Sequence, residues 1–316
     1  MHIAVISHHR LPVKGYGGPQ RVVVALVRGL AELGHRVTLI AAPGSKLPYA
    51  TVVEANPRHL HDGGPGLHAY VPRDSDIAHA HMLVHSWVAG APFIQTIHAN
   101  LKPGSPLPPN AVFLSHNHAT RHGGAAFVHN GLVPTDYTLR RRKEAWDLFL
   151  GRLHSAKGYH WAIEAAKRTG RRLILAGGWR PTLSAVIKYV GEVDNGQKAA
   201  LLARARCLWT PALWDEPFGL AAIEALFSGT PVLGTRRGAL PEIITPDVGA
   251  LGDTLEDLLA AAEQIHTRDP ECCRARAERL FSHIAMASAY VRLYDGVQST
   301  GRLAPSAPPP TKAGPA

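Results

Sequence analysis

The sequence predicts an α/β protein with two Rossmann-like domains that face a cleft, each a parallel sheet flanked by helices. Short apolar runs rich in Val, Ile and Ala alternate with longer amphipathic runs, which is typical of parallel βαβ units. A charged stretch at 140–146 (RRRKEAW) separates two such blocks. The length of 316 residues is sufficient for two domains of ordinary size.

The first block predicts six strands and one long helix. The helix covers 20–34 and ends at Gly34, because glycine commonly follows the last helical turn. The strands are expected where β-branched and apolar residues cluster, at 2–7, 36–42, 76–81, 92–97, 111–115 and 125–130.

The second block repeats this pattern with four strands and three helices. The strands are expected at 147–151, 172–177, 207–212 and 230–235. The helices, which are rich in Ala and Leu, are expected at 157–170, 197–205 and 217–228. Because the carboxyl ends of parallel strands share one edge of a sheet, ligands are expected at that edge.

The C-terminal region predicts one more helix and a tail. Apolar residues recur there at helical spacing, at Ile284, Ala287, Val291 and Tyr294. After Thr300 the Pro/Ala-rich segment GRLAPSAPPPTKAGPA predicts disorder. The expected organisation is a first domain at 1–143, a second at 144–280, a closing helix at 281–299 and a disordered tail at 300–316.

The formal net charge of +10 favours a partner with negative charge. Nucleic acid is not expected, because no RRM, KH, helix-turn-helix or zinc-finger pattern accompanies the basic clusters. An anionic acceptor or an anionic membrane surface stays open. No apolar run reaches the roughly 18 residues of a membrane span. Three cysteines and no basic leader predict a cytoplasmic protein, with peripheral membrane contact open to it.

The most informative segment is the decapeptide DEPFGLAAIE at 215–224. Pro217 suits the first position of a helix, because its missing N–H has no intrahelical partner there. A helix that begins at Pro217 leaves unpaired N–H groups at its mouth, where an anion such as phosphate can bind. These candidate donors are Phe218, Gly219 and Leu220.

Two glutamates flank this predicted helix start. Glu224 follows Glu216 by eight residues, which corresponds to roughly 12 Å along a helix axis. The carboxylate at the mouth can accept hydrogen bonds from sugar hydroxyls, and the one inside the helix can accept them from a ribose diol. The segment therefore suits a nucleotide-sugar. Acidic residues are also common in first helical turns, so this simpler interpretation stays open for the segment taken alone.

A glycine-rich loop at 15–18 lies between the first predicted strand and the first helix, where a phosphate or sugar loop is expected. Its candidate residues are Gly17 and Gly18. Gln20 occupies the place of the last glycine in a dinucleotide-binding loop, and no acidic residue follows the second strand. These two features disfavour an NAD-dependent oxidoreductase.

Arg152 and Lys157 bracket the turn after the predicted strand at 147–151. Two cations at a strand's carboxyl end can neutralise a departing diphosphate, although solvated loop charges give the same pattern. Histidine pairs at 79/81 and 116/118 lie at strand spacing. No cysteine or carboxylate completes a tetrahedral set with them, so no metal site is expected.

The glutamate segment and the residues after it, A-L-x-S-G-T-P-V-L-G-T-x-x-G-x-L-P-E-I-I, resemble family 4 of the retaining glycosyltransferases. Their hallmark is two glutamates separated by seven residues. Further matches occur in the expected order: GYGGPQ at 15–20, QTIH at 95–98, HNG at 129–131, FLGRLHSAKG at 149–158, ILAGG at 174–178 and YVGEV at 189–193. The resemblance extends to about Ser299 and implies the GT-B fold.

The resemblance implies a metal-independent, retaining transferase that moves a sugar from a nucleoside diphosphate, UDP or GDP, to an acceptor hydroxyl. No cofactor is implied beyond this co-substrate. Glu216 and His98 would orient the sugar as catalytic residues, and Glu224 would hold the ribose. Arg152 and Lys157 would contact the donor phosphates. The other donor-binding residues are implied to act through their backbone, at Gly17, Gly18, Val193, Phe218, Gly219 and Leu220.

The chain departs from this family in two places. It is shorter between Gly44 and Asp76, a region that helps to shape the acceptor pocket in the family. It also has Gly238-Ala239 where the family often has two glycines. Two alternatives stay open: a sugar-nucleotide epimerase on the same scaffold, and a non-catalytic protein that binds a nucleotide-sugar.

Overall fold

The computed structural model describes residues 1–13, 15, 17–87 and 90–306. Contacts divide the chain into two units. The first unit contains Met1–Leu132 and the C-terminal segment from Leu280, and the second contains Val133–Arg279. The division thus follows Leu132, while the charged stretch of the sequence predicts it near residue 143.

The first unit is built on a seven-stranded parallel sheet. Its order is β3-β2-β1-β4-β5-β6-β7, and the change of direction at β1 is that of a Rossmann-like sheet. The strands are β1 (His2–Ile6), β2 (Arg36–Ala41), β3 (Thr51–Glu54), β4 (Ile77–Ala80), β5 (Phe93–Thr96), β6 (Ala111–Phe113) and β7 (Ala126–Phe127).

The second unit has a six-stranded parallel sheet of the same kind, ordered β10-β9-β8-β11-β12-β13. Its strands are β8 (Trp146–Leu150), β9 (Arg172–Ala176), β10 (Ile187–Tyr189), β11 (Leu208–Thr210), β12 (Val232–Thr235) and β13 (Gly249–Gly252). The prediction of two Rossmann-like parallel sheets is therefore confirmed. Strands β3, β10 and β13 are absent from the sequence prediction, and each lies at a sheet edge.

Helices cover the sheets. They are α1 (Gly18–Glu32), α2 (Pro57–Asp62), α3 (His116–Arg121), α4 (Tyr159–Thr169), α5 (Asn195–Arg204), α6 (Leu220–Phe227), α7 (Leu240–Ile243), α8 (Leu255–Gln264), α9 (Pro270–Phe281) and α10 (His283–Thr300). The long predicted helices correspond to α1, α4, α5 and α6. None of the described helices is long and apolar enough to cross a membrane.

Apolar side chains of the central strands form the core of each unit. In the first unit Ile6 and Ile40 of neighbouring strands are fully buried beneath Leu60. In the second, Phe149 and Trp209 pack against the alanine face of α4. Burial on both faces explains why these strands appear as nearly continuous apolar runs in the sequence.

The last helix, α10, packs on the first unit through two buried tyrosines. The Tyr294 hydroxyl lies 2.7 Å from His79 Nδ1, and the Tyr290 hydroxyl lies 2.7 Å from Thr96 Oγ1. Beyond α10, the Ser306 hydroxyl donates to the Phe127 carbonyl at 2.9 Å. The remainder of the tail that the sequence predicts to be disordered, 307–316, lies outside the described residues.

Candidate active site

Lys157 and Glu216 form an ion pair at the carboxyl edge of the second sheet. The Lys157 Nζ to Glu216 Oε1 distance is 2.5 Å, and the two side chains are 24% and 20% exposed. Lys157 follows β8 and Glu216 follows β11, which are neighbours in the sheet. The ammonium also lies 5.3 Å from the centre of the Trp214 ring, within the range of a cation–π contact.

A small cavity of about 30 Å³ adjoins this pair and the start of α6. Its lining includes Thr210, Gly219, Ala221 and Leu240. A cavity needs roughly 10–15 Å³ to hold one water, so this cavity has room for about two waters beside the ion pair. A sugar ring does not fit in it.

Two glycines fix the loops that present this pair. Gly158 has φ +68°, and a Cβ at this position would lie 1.8 Å from the carbonyl oxygen of Pro211. Gly238 has φ +56°, and its Cβ would lie 2.4 Å from the backbone nitrogen and oxygen of Glu216. The Ala239 N–H donates to the Glu216 carbonyl at 3.0 Å. Gly238 therefore allows its own backbone to approach that of Glu216 closely, and this contact positions Glu216.

Helix α6 begins at Leu220, three residues later than predicted. The N-cap is Gly219, whose φ of +114° is open to glycine and disfavoured for other residues. Pro217 and Phe218 therefore precede the helix, and the prediction of Pro217 at its first position is wrong. Glu216 also lies before the helix. The helical rise thus applies only from Leu220 to Glu224, about 6 Å rather than 12 Å.

Glu224 is a buried carboxylate with two donors on one oxygen. It is 3% exposed, and its Oε1 accepts from Lys198 Nζ at 2.6 Å and from the Tyr137 hydroxyl at 3.0 Å. Tyr137 in turn stacks on Phe227, with ring centres 5.5 Å apart. Sequence reasoning missed Lys198 and Tyr137. No local spacing pointed to them, since they lie 26 and 87 residues from Glu224.

The other predicted residues of the second unit lie on loops after neighbouring strands. Arg152 is exposed in the turn after β8, and among the described residues no carboxylate oxygen lies within 4 Å of its guanidinium. Val193 is half-buried between β10 and α5. Its loop is tied to the sheet because the Gly177 N–H donates to the Gly191 carbonyl at 2.7 Å.

The predicted glycine loop of the first unit lies where β1 leads into α1. Gly17 is the N-cap of α1 in an extended conformation, and Gly18 is the first helical residue. A Cβ on Gly17 would lie 2.9 Å from Gln20 Oε1, so the loop packs closely around this glycine. Tyr16 lies outside the described residues.

His98 follows β5 and is held by a second histidine. Its Nε2 lies 2.9 Å from Nδ1 of His81, which is 4% exposed and has no partner for its own Nε2 among the described residues. A buried N–H without an acceptor is rarer than a buried acceptor without a donor. We therefore infer that His81 donates from Nδ1, which leaves the proton of His98 on Nδ1.

Burial keeps this histidine cluster neutral. It lowers the pKa of His98 to about 4, with a smaller contribution from His8 and His9. It lowers the pKa of His79, which is fully buried, to about 3. His79 Nε2 lies 2.7 Å from Thr96 Oγ1, so both its nitrogens have hydroxyl partners. In the described part of the chain no group of three His, Cys, Asp or Glu side chains is arranged to hold a metal ion.

Comparison with known proteins shows what this chain is similar to. Residues 138–276 match the model described as "Glycosyl transferases group 1". The crystal structure of AviGT4, a glycosyltransferase involved in avilamycin A biosynthesis, is 29% identical with a TM-score of 0.79, over 95% of this chain and 98% of that one.

Curated relatives match over part of their length. The GDP-mannose-dependent alpha-(1-6)-phosphatidylinositol dimannoside mannosyltransferase of Mycobacterium tuberculosis is 38% identical over 120 residues, 34% of this chain and 31% of that protein. The MMP alpha-(1->4)-mannosyltransferase of Mycolicibacterium hassiacum is 33% identical over 124 residues, 36% of this chain and 30% of that protein. The chain thus spans about a third of the length of these two relatives.

Proposed function

We propose that this chain, whose residues 138–276 match the model of the glycosyl transferases group 1, transfers a sugar from a nucleoside-diphosphate sugar to an acceptor hydroxyl with retention of configuration. The observation that supports this most directly is the Lys157–Glu216 ion pair beside the glycine-initiated helix α6. A cation, a carboxylate and free helix N–H groups together can bind a phosphorylated sugar.

The diphosphate of the donor would bind where the positive groups of the second unit converge. The exposed guanidinium of Arg152 can form a two-pronged contact with phosphate, and Lys157 can add a point charge. The first N–H groups of α6, at Leu220 and Ala221, lie at the positive end of its dipole. These groups stabilise the charge that develops on the leaving diphosphate.

Donor binding would rearrange the Lys157–Glu216 pair. As long as the ammonium contacts Glu216, the charges of both groups largely cancel. A phosphate competes for Lys157, which frees the Glu216 oxygens to accept hydrogen bonds from sugar hydroxyls. We expect Glu216 to orient the sugar, and we retain His98 as a donor of one hydrogen bond to it through Nδ1.

Glu224 remains our candidate for the ribose. Its Oε1 accepts from Lys198 and Tyr137, so a ribose hydroxyl has to compete with these donors for the carboxylate. For the reaction itself we propose front-face displacement, in which the leaving phosphate accepts the proton of the acceptor hydroxyl. The GDP-mannose dependence of one relative makes GDP-mannose the first donor to test, before UDP-sugars.

Calorimetric titration with GDP and with UDP, first without and then with Mg²⁺, tests the donor site. We expect one nucleotide to bind without metal. Glu216→Gln should keep that affinity within about threefold and lower the transfer rate at least about tenfold, because the glutamate contacts the sugar and not the nucleotide. Glu263→Gln, on an exposed helix face, is the matched control.

Three outcomes would contradict the proposal. Binding of neither nucleotide would remove the donor site. Binding without transfer or hydrolysis of any donor would favour a non-catalytic binding protein. Isomerisation of the donor sugar without acceptor would favour an epimerase. Proton NMR of the transferred sugar decides whether the anomeric configuration is retained.

A further inference from the structure

The second unit has a larger cavity at the end of the sheet opposite to the Lys157–Glu216 pair. Its volume is about 310 Å³, and it is bordered by Ala145, Arg206 and Pro231, which directly precede β8, β11 and β12 or lie within two residues of them. These strands are parallel, so the cavity lies at their amino-terminal ends. It is therefore separate from the carboxyl edge that holds the candidate donor site.

Basic side chains dominate the lining of this cavity. They are Arg141, Lys143, Arg206 and Arg268, and the lining contains a single carboxylate, Glu144. Glu144 is already neutralised, because Arg204 donates to both its oxygens at 2.6 and 3.1 Å. The guanidinium of Arg204 keeps the pKa of that carboxyl low, at about 2.

Two of the lining arginines are also neutralised. Arg206 forms a two-pronged, buried pair with Asp147, at 2.7 and 2.8 Å. Arg141 lies 2.5 Å from Glu271 at the surface. Lys143 and Arg268 differ from these, because no carboxylate oxygen lies within 4 Å of their cationic groups among the described residues.

Lys143 is a half-buried cation surrounded by neutral acceptors. Its Nζ donates to the carbonyls of Ala203 and Ser228 at 3.0 and 2.8 Å and to Thr230 Oγ1 at 2.8 Å. These bonds hold the ammonium in place but supply no negative charge. Burial is the main cause that lowers the pKa of Lys143 to about 7; Cys273 opposes the shift and the nearby Arg140 adds a smaller contribution to it.

Arg268 has an unused donor. Its Nη1 donates to Thr267 Oγ1 at 3.0 Å, whereas its Nε is buried without an acceptor in the described part of the chain. A buried donor that lacks an acceptor is uncommon and costs free energy. An anion in the cavity would compensate the charges of Arg268 and Lys143 at the same time.

We propose that this cavity binds the phosphate monoester of a small metabolite, at a site distinct from the donor site. Arg268 and Lys143, which have no carboxylate partner among the described residues, would face the negative charge of the phosphate, and that charge would favour the protonated form of Lys143. The volume lies at the lower end of the roughly 300–1,000 Å³ typical of small-molecule sites, so it admits a phosphate with a small group attached. Arg268 supplies hydrogen bonds to the phosphate, and Lys143 supplies charge.

Calorimetry with inorganic phosphate tests this site in the full-length protein. The titration is done at saturating GDP or UDP, whichever binds, so that the donor site is filled. We expect saturable binding that Arg268→Gln weakens at least about tenfold, since a hydrogen bond to a charged group is removed. Arg58→Gln, an exposed arginine of the first unit, should leave the affinity unchanged.

A second variant and a second probe complete the test. Lys143→Met should also weaken phosphate binding, and its thermal unfolding is measured to show that it remains folded. Vesicles that contain phosphatidic acid, whose head group is a phosphate monoester, are compared with vesicles of phosphatidylcholine alone to distinguish a lipid head group from a free metabolite. Vesicle binding that Arg268→Gln abolishes would keep the site and assign its phosphate to lipid.

Equal phosphate binding by wild type and Arg268→Gln, or no phosphate binding by either, would overturn the proposal. Nucleotide affinity should be unchanged in Arg268→Gln, so a failure here is separate from a failure of the donor site.

Discussion

Replacement of Lys198 by methionine removes the ammonium group from the buried carboxylate of Glu224. The Lys198 and Glu224 side chains are 12% and 4% exposed, and their charged atoms are 2.6 Å apart. Removal of one member of a buried ion pair costs about 3–5 kcal/mol, because the remaining charge stays in a medium of low polarity. The Tyr137 hydroxyl still donates to the same oxygen. We therefore expect the free energy of unfolding to fall by about 3 kcal/mol, the lower end of this range.

Urea unfolding followed by tryptophan fluorescence measures this loss. The double variant Lys198→Met with Glu224→Gln removes both charges, so it should recover at least half of the stability lost in Lys198→Met. Lys167→Met changes an exposed helical lysine and should stay within about 0.5 kcal/mol of wild type. A loss below about 1 kcal/mol in Lys198→Met, or a double variant less stable than the single one, would refute the buried pair as described.

Three further perturbations test other parts of the structure. Gly158→Ala should cost about 2–3 kcal/mol, because its Cβ would lie 1.8 Å from the Pro211 carbonyl, whereas Gly170→Ala, with a similar φ and open space around it, should cost about 1 kcal/mol. His79 has a pKa of about 3 in the fold and an ordinary value of 6.5, so the unfolded chain binds the extra proton. Stability should therefore fall from pH 6.5 towards 3, and less steeply in His79→Phe. Lys143 has a pKa of about 7 in the fold and an ordinary value of 10.5, so its effect falls in the alkaline range. Between pH 7 and 10 the unfolded chain binds the extra proton, so stability should rise with pH, and Lys143→Met should abolish this rise.

Central strands were predictable from the sequence, while three of the four edge strands were not. Strands such as β1 and β8 are buried on both faces, and this burial selects continuous apolar runs. The edge strands β3, β10 and β13 have only three or four residues each, and each strand contains residues that are partly exposed. Their composition is therefore close to that of a loop. Pairing with a neighbouring strand, rather than their own sequence, makes them strands.

The residues of the candidate site stay a prediction, and part of the geometry that the sequence predicts for them is wrong. The two-glutamate spacing led to the resemblance, and the match of residues 138–276 confirms that resemblance. The predicted helix start is wrong because the glycine that follows Pro217 and Phe218, and not the proline, is the N-cap. Gly219 ends the loop with a positive φ, and that backbone conformation sets where α6 begins.

Each glutamate of the motif has a lysine partner that sequence spacing could not show. Lys157 is 59 residues from Glu216, and Lys198 is 26 residues from Glu224. Both pairs are close to neutral without a donor, so the lysines contribute little long-range attraction for an anion. We expect the exposed Arg152 to attract the diphosphate first, after which Lys157 exchanges Glu216 for phosphate. If this order is right, Arg152→Gln should slow nucleotide association and lessen its dependence on salt, while Lys157→Met should mainly speed dissociation. Stopped-flow binding at two ionic strengths separates these effects, and equal changes of both rates in the two variants would contradict the order.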